Sequence, residues 1–316
     1  MLGQALIRLY HQHYKLHFLG RNKLLGEQIE KQYGATFHQV DLADIDALKT
    51  CCLEMDAVVH CAALSSPWGK PEDFKASNII GTEHILSASQ QAGVKRFVHI
   101  STPSLYFDFK SQTAIKESDK LPLIFCNEYA RTKAEAEQRV LNSALDTIIL
   151  RPRGIFGPQD RAIVPRLLRF IKNKKLFLPS SRNPLVDLTY VDNVADAIIL
   201  SVNAPSMTGA IFNITNGQPK NIQLMLSALL AQLVPNTKIV GLNYHAISGL
   251  VKVNQWVYQY LLNHKEPRLT DYSAALLHYD QTLDISKAQS VLGYQPKISI
   301  EEGIKRYAIW HKNPTI

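Results

Sequence analysis

The chain has 316 residues, 46% hydrophobic and 20% charged, which is enough to bury a core and too apolar for wholesale disorder. Lysine and arginine exceed aspartate and glutamate by 35 − 27 = 8, a balance that favours anionic partners without choosing among phosphates, nucleic acid and acidic lipid. Gly 15 and Pro 15 exclude collagen-like and low-complexity chains, and four cysteines, two of them adjacent (Cys51, Cys52), make no disulfide framework and point to a reducing, cytoplasmic setting.

In chain order, Leu2 to Tyr14 has helical period and reads as a helix entered in its middle. The start lacks the basic-then-apolar order of a secretory signal. Strands are expected at 15–20, 35–40, 56–63, 94–101 and 146–152, with helices at 22–33, 44–54, 71–92 and 127–144 between them. Short β-branched strands alternating with helices of this length predict a doubly wound α/β fold, a parallel sheet with helices on both faces. Beyond 152 the pattern loosens. Strand-like segments recur at 185–190 and 210–214, and helices follow near 221–234, 244–262, 284–292 and 300–312. No stretch reaches the ~18–20 apolar residues of a membrane span. Residues 246–262 are apolar and aromatic, and read as a helix covering a pocket or as a surface helix meeting a membrane or a second copy of the chain. The histidines at 11–17 have no Cys, Asp or Glu partners nearby, so no metal site is expected.

Tyr129 and Lys133 are one helical turn apart and share a face. An ammonium beside a phenol is expected to lower the phenol's pKa toward neutrality and fit it for proton transfer to a carbonyl oxygen. Upstream, the strand ending at Ile100 runs into Ser101, Thr102, Pro103 and Ser104. A hydroxyl at the carboxyl end of a parallel strand lies on the ligand-binding edge of the sheet. Either motif alone has a bland reading, as a solvated lysine or a turn.

Together they make the chain resemble the extended short-chain dehydrogenase/reductase family, in its 3β-hydroxysteroid dehydrogenase-like branch. Further landmarks follow in the family's order: Asp41-Leu42 after the third strand, Cys61-Ala62-Ala63 after the fourth, Asn78 to Thr82 on the next helix, Leu150 to Pro158 after the sixth strand, and Thr189 to Val194. The combination Ser101–Ser104, Leu150–Asp160 and Asp187–Val194 resembles 2-alkyl-3-oxoalkanoate reductases and sterol 3β-dehydrogenases. The resemblance implies a Rossmann-like dinucleotide-binding domain at 1–155 and a substrate region at 156–316, with about 185–215 returning to the first sheet. It implies an enzyme that interconverts a ketone and a secondary alcohol on an apolar 3-oxoacyl or steroid-like substrate. It assigns Tyr129 as acid/base, Lys133 as its partner and ribose ligand, and Thr102 rather than Ser101 as the orienting hydroxyl. Gly3, Arg21, Asp41, Leu42, Cys61, Ala62, Ala63, Pro152 and Ile155 would line the cofactor. Arg21, where an acid would select NAD, favours NADP over NAD. A homodimer is a family expectation.

The chain departs from the family at its start. Only the third glycine of the T-G-x-x-G-x-x-G turn is present, as Gly3, and the strand before it is not in the sequence. Three readings stay open: a start codon placed too late, a truncated copy, or a sheet that closes over the gap as a non-catalytic remnant. Nucleotide-sugar epimerisation or dehydration on the same fold is the alternative activity, with Arg161, Arg166, Arg169 and Arg182 available for a diphosphate. No basic motif or aromatic platform supports nucleic-acid binding.

Overall fold

In the computed structural model, which describes residues 1–314, helix and strand alternate through the first half. The elements are α1 (Leu2–Tyr10), β1 (His17–Gly20), α2 (Lys23–Tyr33), β2 (Thr36–Gln39), α3 (Ile45–Cys52), β3 (Ala57–His60), α4 (Gly81–Gln91), β4 (Arg96–Ile100), α5 (Glu128–Leu141) and β5 (Thr147–Pro152). The second half adds α6 (Val191–Asn203), β6 (Ala210–Ile214), α7 (Ile222–Leu233), α8 (Tyr244–Tyr260) and α9 (Ile300–Lys312). Local chemistry sets several boundaries. Asn22, Asp44 and Asn127 each cap the helix that follows by accepting a backbone N–H. Gly34, with φ 71°, ends α2 in the left-handed conformation.

Strands β6, β5, β4 and β3 form, in that order, a parallel four-stranded sheet. Strands β4 and β5 are buried at every residue, as the centre of a sheet covered on both faces must be. Alternate side chains feed two cores. Val98, Ile148 and Leu150 pack with Val194, Ile198 and Phe212, while Phe97 and Ile149 pack with Leu48, Ile85 and Val140. Strands β1 and β2 pair parallel with each other in a separate two-stranded sheet. No ladder joins β1 to β3 among the described residues, so the two sheets do not close on each other.

Helix α1 is tied to α6 by an ion pair between Arg8 and Asp192 and a hydrogen bond from Tyr10 to Asp196. The Asp192-Asn193 pair that resembled a family signature is thus a staple. Asn193 Oδ1 accepts the N–H groups of Lys297 and Ile298 at 3.0 Å each, and its Nδ2 donates to the Ile298 carbonyl at 2.8 Å.

The second half holds elements that the sequence pattern does not announce. Residues 185–190 form two short strands, Leu185–Val186 and Thr189–Tyr190, rather than one. The first belongs to a small sheet with Lys220–Asn221, Gln281–Leu283 and Gln112–Ile115, and the second pairs with Ile155–Phe156. A further sheet joins Lys175–Leu178 to Lys238–Gly241 and Ile171–Lys172. Helix α8 packs on the short helix Asp271–Leu276 and lines no part of the main cavity, which corrects the expectation that 244–262 covers the pocket. Among the described residues no helix is long and apolar enough to cross a membrane, and no group of three His, Cys, Asp or Glu side chains is placed to hold a metal.

Gly303 on α9 lies where a Cβ would sit 2.7 Å from Tyr190 Cδ2 and 2.8 Å from Phe156 Cζ. Both rings are buried. Gly303→Ala should therefore lower Tm: overpacking costs about 1–3 kcal/mol, against about 1 kcal/mol gained in helix propensity. A rise in Tm would show that the rings move aside at no cost.

Candidate active site

The Asn127 side chain accepts the Ala130 N–H at 2.8 Å and starts α5, which puts Tyr129 in the first turn and Lys133 one turn further on. At the end of β4, Thr102 caps a short 3-10 turn, Pro103–Tyr106, by accepting the Ser104 N–H at 3.2 Å. The two elements meet. The Tyr129 phenol lies beside the Thr102 and Ser65 hydroxyls. Thr102 Oγ1 donates to Ser104 Oγ at 3.0 Å, and Ser104 Oγ lies 2.7 Å from the Tyr272 hydroxyl. The Thr102, Ser104 and Tyr272 hydroxyls thus run in a chain beside Tyr129. Burial pushes the Tyr129 pKa above its ordinary 10.0, and the hydrogen bonds from Ser65 and Thr102 only partly oppose it.

Among the described residues no hydrogen bond joins Lys133 to the Tyr129 phenol. Its ammonium donates to the Ile100 carbonyl at 2.7 Å and sits 3.0 Å from His99 Nε2. It contributes nothing to the Tyr129 shift, so the expected lowering of the phenol is replaced by a rise. Burial pushes Lys133 itself down to about 8. His99 is held neutral, well below the ordinary histidine value, by burial and by the Lys133 charge. His60 is also held neutral, at about 3, and lies 3.0 Å from Thr82 Oγ1.

A cavity of about 650 Å³ opens beside the hydroxyl chain. Of the residues proposed from sequence, Thr102, Tyr129, Cys61, Ala63, Pro152 and Ile155 line it. Ser101 lines it too, with a buried hydroxyl that has no partner. Gly3, Arg21, Asp41, Leu42, Ala62 and Lys133 do not. Gly3 is exposed in the first turn of α1, beside Met1 and Leu2, which do reach the cavity. Arg21 and Asp41, at the ends of β1 and β2, form a solvent-exposed ion pair at 3.7 Å. The Leu42 carbonyl meets His84 Nδ1 at 2.7 Å, and its side chain fills the space where a Cβ on Gly81 would lie.

The loop after β3 that carries Cys61, Ala62 and Ala63 is clamped by Asn78, which accepts the Leu64 N–H at 2.7 Å and donates to the Leu64 carbonyl at 3.3 Å. Asn78 sits in a π-helical turn, Lys75–Ile80, ahead of α4. That turn leaves no trace in the sequence pattern. Sequence reasoning also missed Ser65, Ser104 and Tyr272. Ser104 was within the Ser101–Ser104 signature, whereas Tyr272 comes from a distant helix that no local signal links to Tyr129.

Residues 2–239 match the 3-beta hydroxysteroid dehydrogenase/isomerase family. The chain is 34% identical over 302 residues to the uncharacterized protein YbjS of Escherichia coli (strain K12), covering 92% of this chain and 88% of that protein. It is 32% identical to a 2-alkyl-3-oxoalkanoate reductase of Stenotrophomonas maltophilia (strain K279a), covering 84% of this chain and 83% of the relative. It is 31% identical to the decarboxylating sterol-4-alpha-carboxylate 3-dehydrogenase of Saccharomyces cerevisiae, with 90% and 87% covered. A crystal structure of UDP-glucuronic acid 4-epimerase from Bacillus cereus, with UDP-glucuronic acid and NAD, shares the fold at a TM-score of 0.77 and 21% identity over 99% of this chain and 96% of that one.

Burial of Lys133 has a measurable signature. Its folded pKa of about 8 lies below the ordinary 10.5, so between those values the unfolded chain holds a proton that the folded chain has released. The folded state therefore gains stability as pH rises through that window. Lys133→Met should abolish this contribution, so Tm of the parent minus that of the variant should increase from pH 7.5 to 10.5. A constant difference would show that Lys133 is not the titrating group.

Proposed function

The chain belongs to the 3-beta hydroxysteroid dehydrogenase/isomerase family of NAD-dependent dehydrogenases and epimerases, and on that premise we propose that it interconverts a ketone and a secondary alcohol on an apolar substrate. The observation that carries the proposal is the Tyr129–Thr102 pair at the wall of a cavity whose apolar lining includes Ile163, Leu167, Phe170, Phe177 and Leu229. An apolar, 3-oxoacyl or steroid-like body fits such walls better than a nucleotide sugar. Of the arginines available for a diphosphate, Arg166 is already paired with Glu266 at 2.8 Å.

The residues present suit a nicotinamide dinucleotide. The first turn of α1 has no side-chain cap, so its backbone N–H groups are free for a pyrophosphate beside the Cys61–Ala63 loop. Arg21 and Asp41 would meet the adenosine end, Lys133 and Tyr129 the ribose, and Pro152 and Ile155 the nicotinamide. When bound, the dinucleotide supplies or accepts the hydride. Arg21, with 83% of its side chain exposed and only Asp41 as partner, supports NADP over NAD. On this reading residues 1–155 bind the cofactor and 156–316 the substrate, and of 185–215 only Ala210–Ile214 returns to the first sheet among the described residues. Contact with a membrane or a second copy of the chain is placed on the face of 246–262 that exposes Leu250, Val253 and Trp256.

In ketone reduction the substrate oxygen sits against the Tyr129 hydroxyl and the Thr102 hydroxyl. Tyr129 donates its proton to that oxygen as the carbonyl carbon gains the hydride, and Thr102 orients the oxygen throughout. The raised phenol pKa keeps Tyr129 protonated at neutral pH, the state that an acid needs. Reduction of an apolar 3-oxo compound with NADPH should hold its rate through neutral pH, while alcohol oxidation should rise with pH toward and beyond 10. Tyr129→Phe should cost on the order of 10²-fold or more in kcat. A variant with the parent's rate would overturn the mechanism, and a parent that binds no dinucleotide in calorimetry would favour the remnant reading.

A further inference from the structure

Two arginines two positions apart are both buried, and the fold treats them differently. Arg151 forms a bidentate pair with Glu137, at 2.9 and 2.5 Å, and also donates to the Tyr106 hydroxyl. Its charge is answered inside the chain. Arg153 is 8% exposed, and its only side-chain hydrogen bond runs from Nε to the Gln281 carbonyl at 3.3 Å. Among the described residues no hydrogen bond or ion pair reaches its two terminal nitrogens. A buried guanidinium with free donors is costly unless an anion completes it.

Arg153 lines the same cavity as Thr102, Ser104, Tyr129 and Tyr272. The other charged groups on that wall are committed elsewhere or exposed. Arg166 is paired with Glu266, and Arg161 is exposed. Asp160 accepts the N–H groups of Ala162, Ile163 and Val164. The Met1 ammonium lies by Cys61, Asp160 and Arg161. The Asp187 carboxylate acts on Arg153 through its charge, yet among the described residues no ion pair within 4.0 Å joins them. One Asp187 oxygen accepts the Leu283 N–H at 2.8 Å.

Building on the oxidoreductase reading, we propose that Arg153 is a specificity-determining residue that holds a carboxylate carried by the substrate close to the reacting oxygen. The planar fork of donors suits a carboxylate bound through both oxygens. A single buried cation also matches one carboxylate better than a diphosphate, which needs several. The substrate then lies with its chain along the apolar walls and its acid group at Arg153.

The test compares 3-hydroxydecanoate with its methyl ester as alcohol substrates, in the parent and in Arg153→Leu, Arg153→Gln and Arg153→Lys. In the parent, kcat/KM should favour the acid. Arg153→Leu and Arg153→Gln should cut the ratio of acid to ester by at least about 30-fold, while Arg153→Lys should retain part of it. Independently of turnover, decanoate without cofactor should raise Tm of the parent and not that of Arg153→Leu or Arg153→Gln. Equal losses on acid and ester, or the same decanoate shift in parent and variants, would overturn the proposal. If neither compound turns over, the oxidoreductase reading fails on its own, and the decanoate shift still decides the role of Arg153.

Discussion

A lysine is buried in this protein without an ion pair among the described residues, its neighbour Glu137 being paired with Arg151, and the architecture of the site follows from how it is accommodated. The Lys133 ammonium is solvated by the Ile100 carbonyl and by His99 Nε2, both at the carboxyl end of β4. That end is where strand carbonyls point outward and can take up a cation. The contact locks the middle of α5 onto β4. Since Tyr129 precedes Lys133 by one turn, the same lock delivers the phenol to Thr102, just past the end of β4. Accepting at Nε2 places the His99 ring proton on Nδ1, which is buried without a partner. The site therefore carries a desolvation cost in two adjacent groups to fix one geometry, as functional sites commonly do.

The sequence made the sheet legible because its strands are short, β-branched and separated by well-capped helices. Predicted and observed boundaries agree to within a few residues at β4, β5, β6 and α9. Tyr129 and Thr102 were legible for the same reason: a helix face and a strand end are local features, and topology alone brings them together. What stayed hidden depends on packing at long range. The direction of the Lys133 side chain is decided by His99, whose role no spacing announces. Tyr272 reaches Ser104 from a helix far along the chain. The small sheet around Leu185–Val186 is built from strands of two to four residues, too short to show a period. Helix α8 misled because an apolar sequence marks an element that packs on something, and not what it packs on.

The cavity itself reflects the same division of labour. One wall is the rigid carboxyl edge of β4 and β5, which holds the hydroxyls. Other walls come from α7, the helix Asp271–Leu276 and the segment around Ile163–Phe170, which apart from Tyr272, Ser273 and Arg166 are apolar where they meet the cavity and carry the volume. Chemistry is thus placed on elements that the sheet fixes, and substrate shape on elements that can vary without disturbing it. The two arginines after β5 fit this scheme. Arg151, pointing into the core, must be neutralised for the chain to fold, while Arg153, on the cavity wall, can leave its charge to be met from outside.

Burial also moves the two groups in opposite directions. It raises the Tyr129 phenol above 10 and lowers the Lys133 ammonium to about 8, so the lysine is the stronger acid of the two. A lysine placed directly against the phenol would lower its pKa and bring the phenolate closer to neutral pH. Held instead at the end of β4, Lys133 leaves burial to dominate, and the Tyr129 phenol stays protonated at neutral pH.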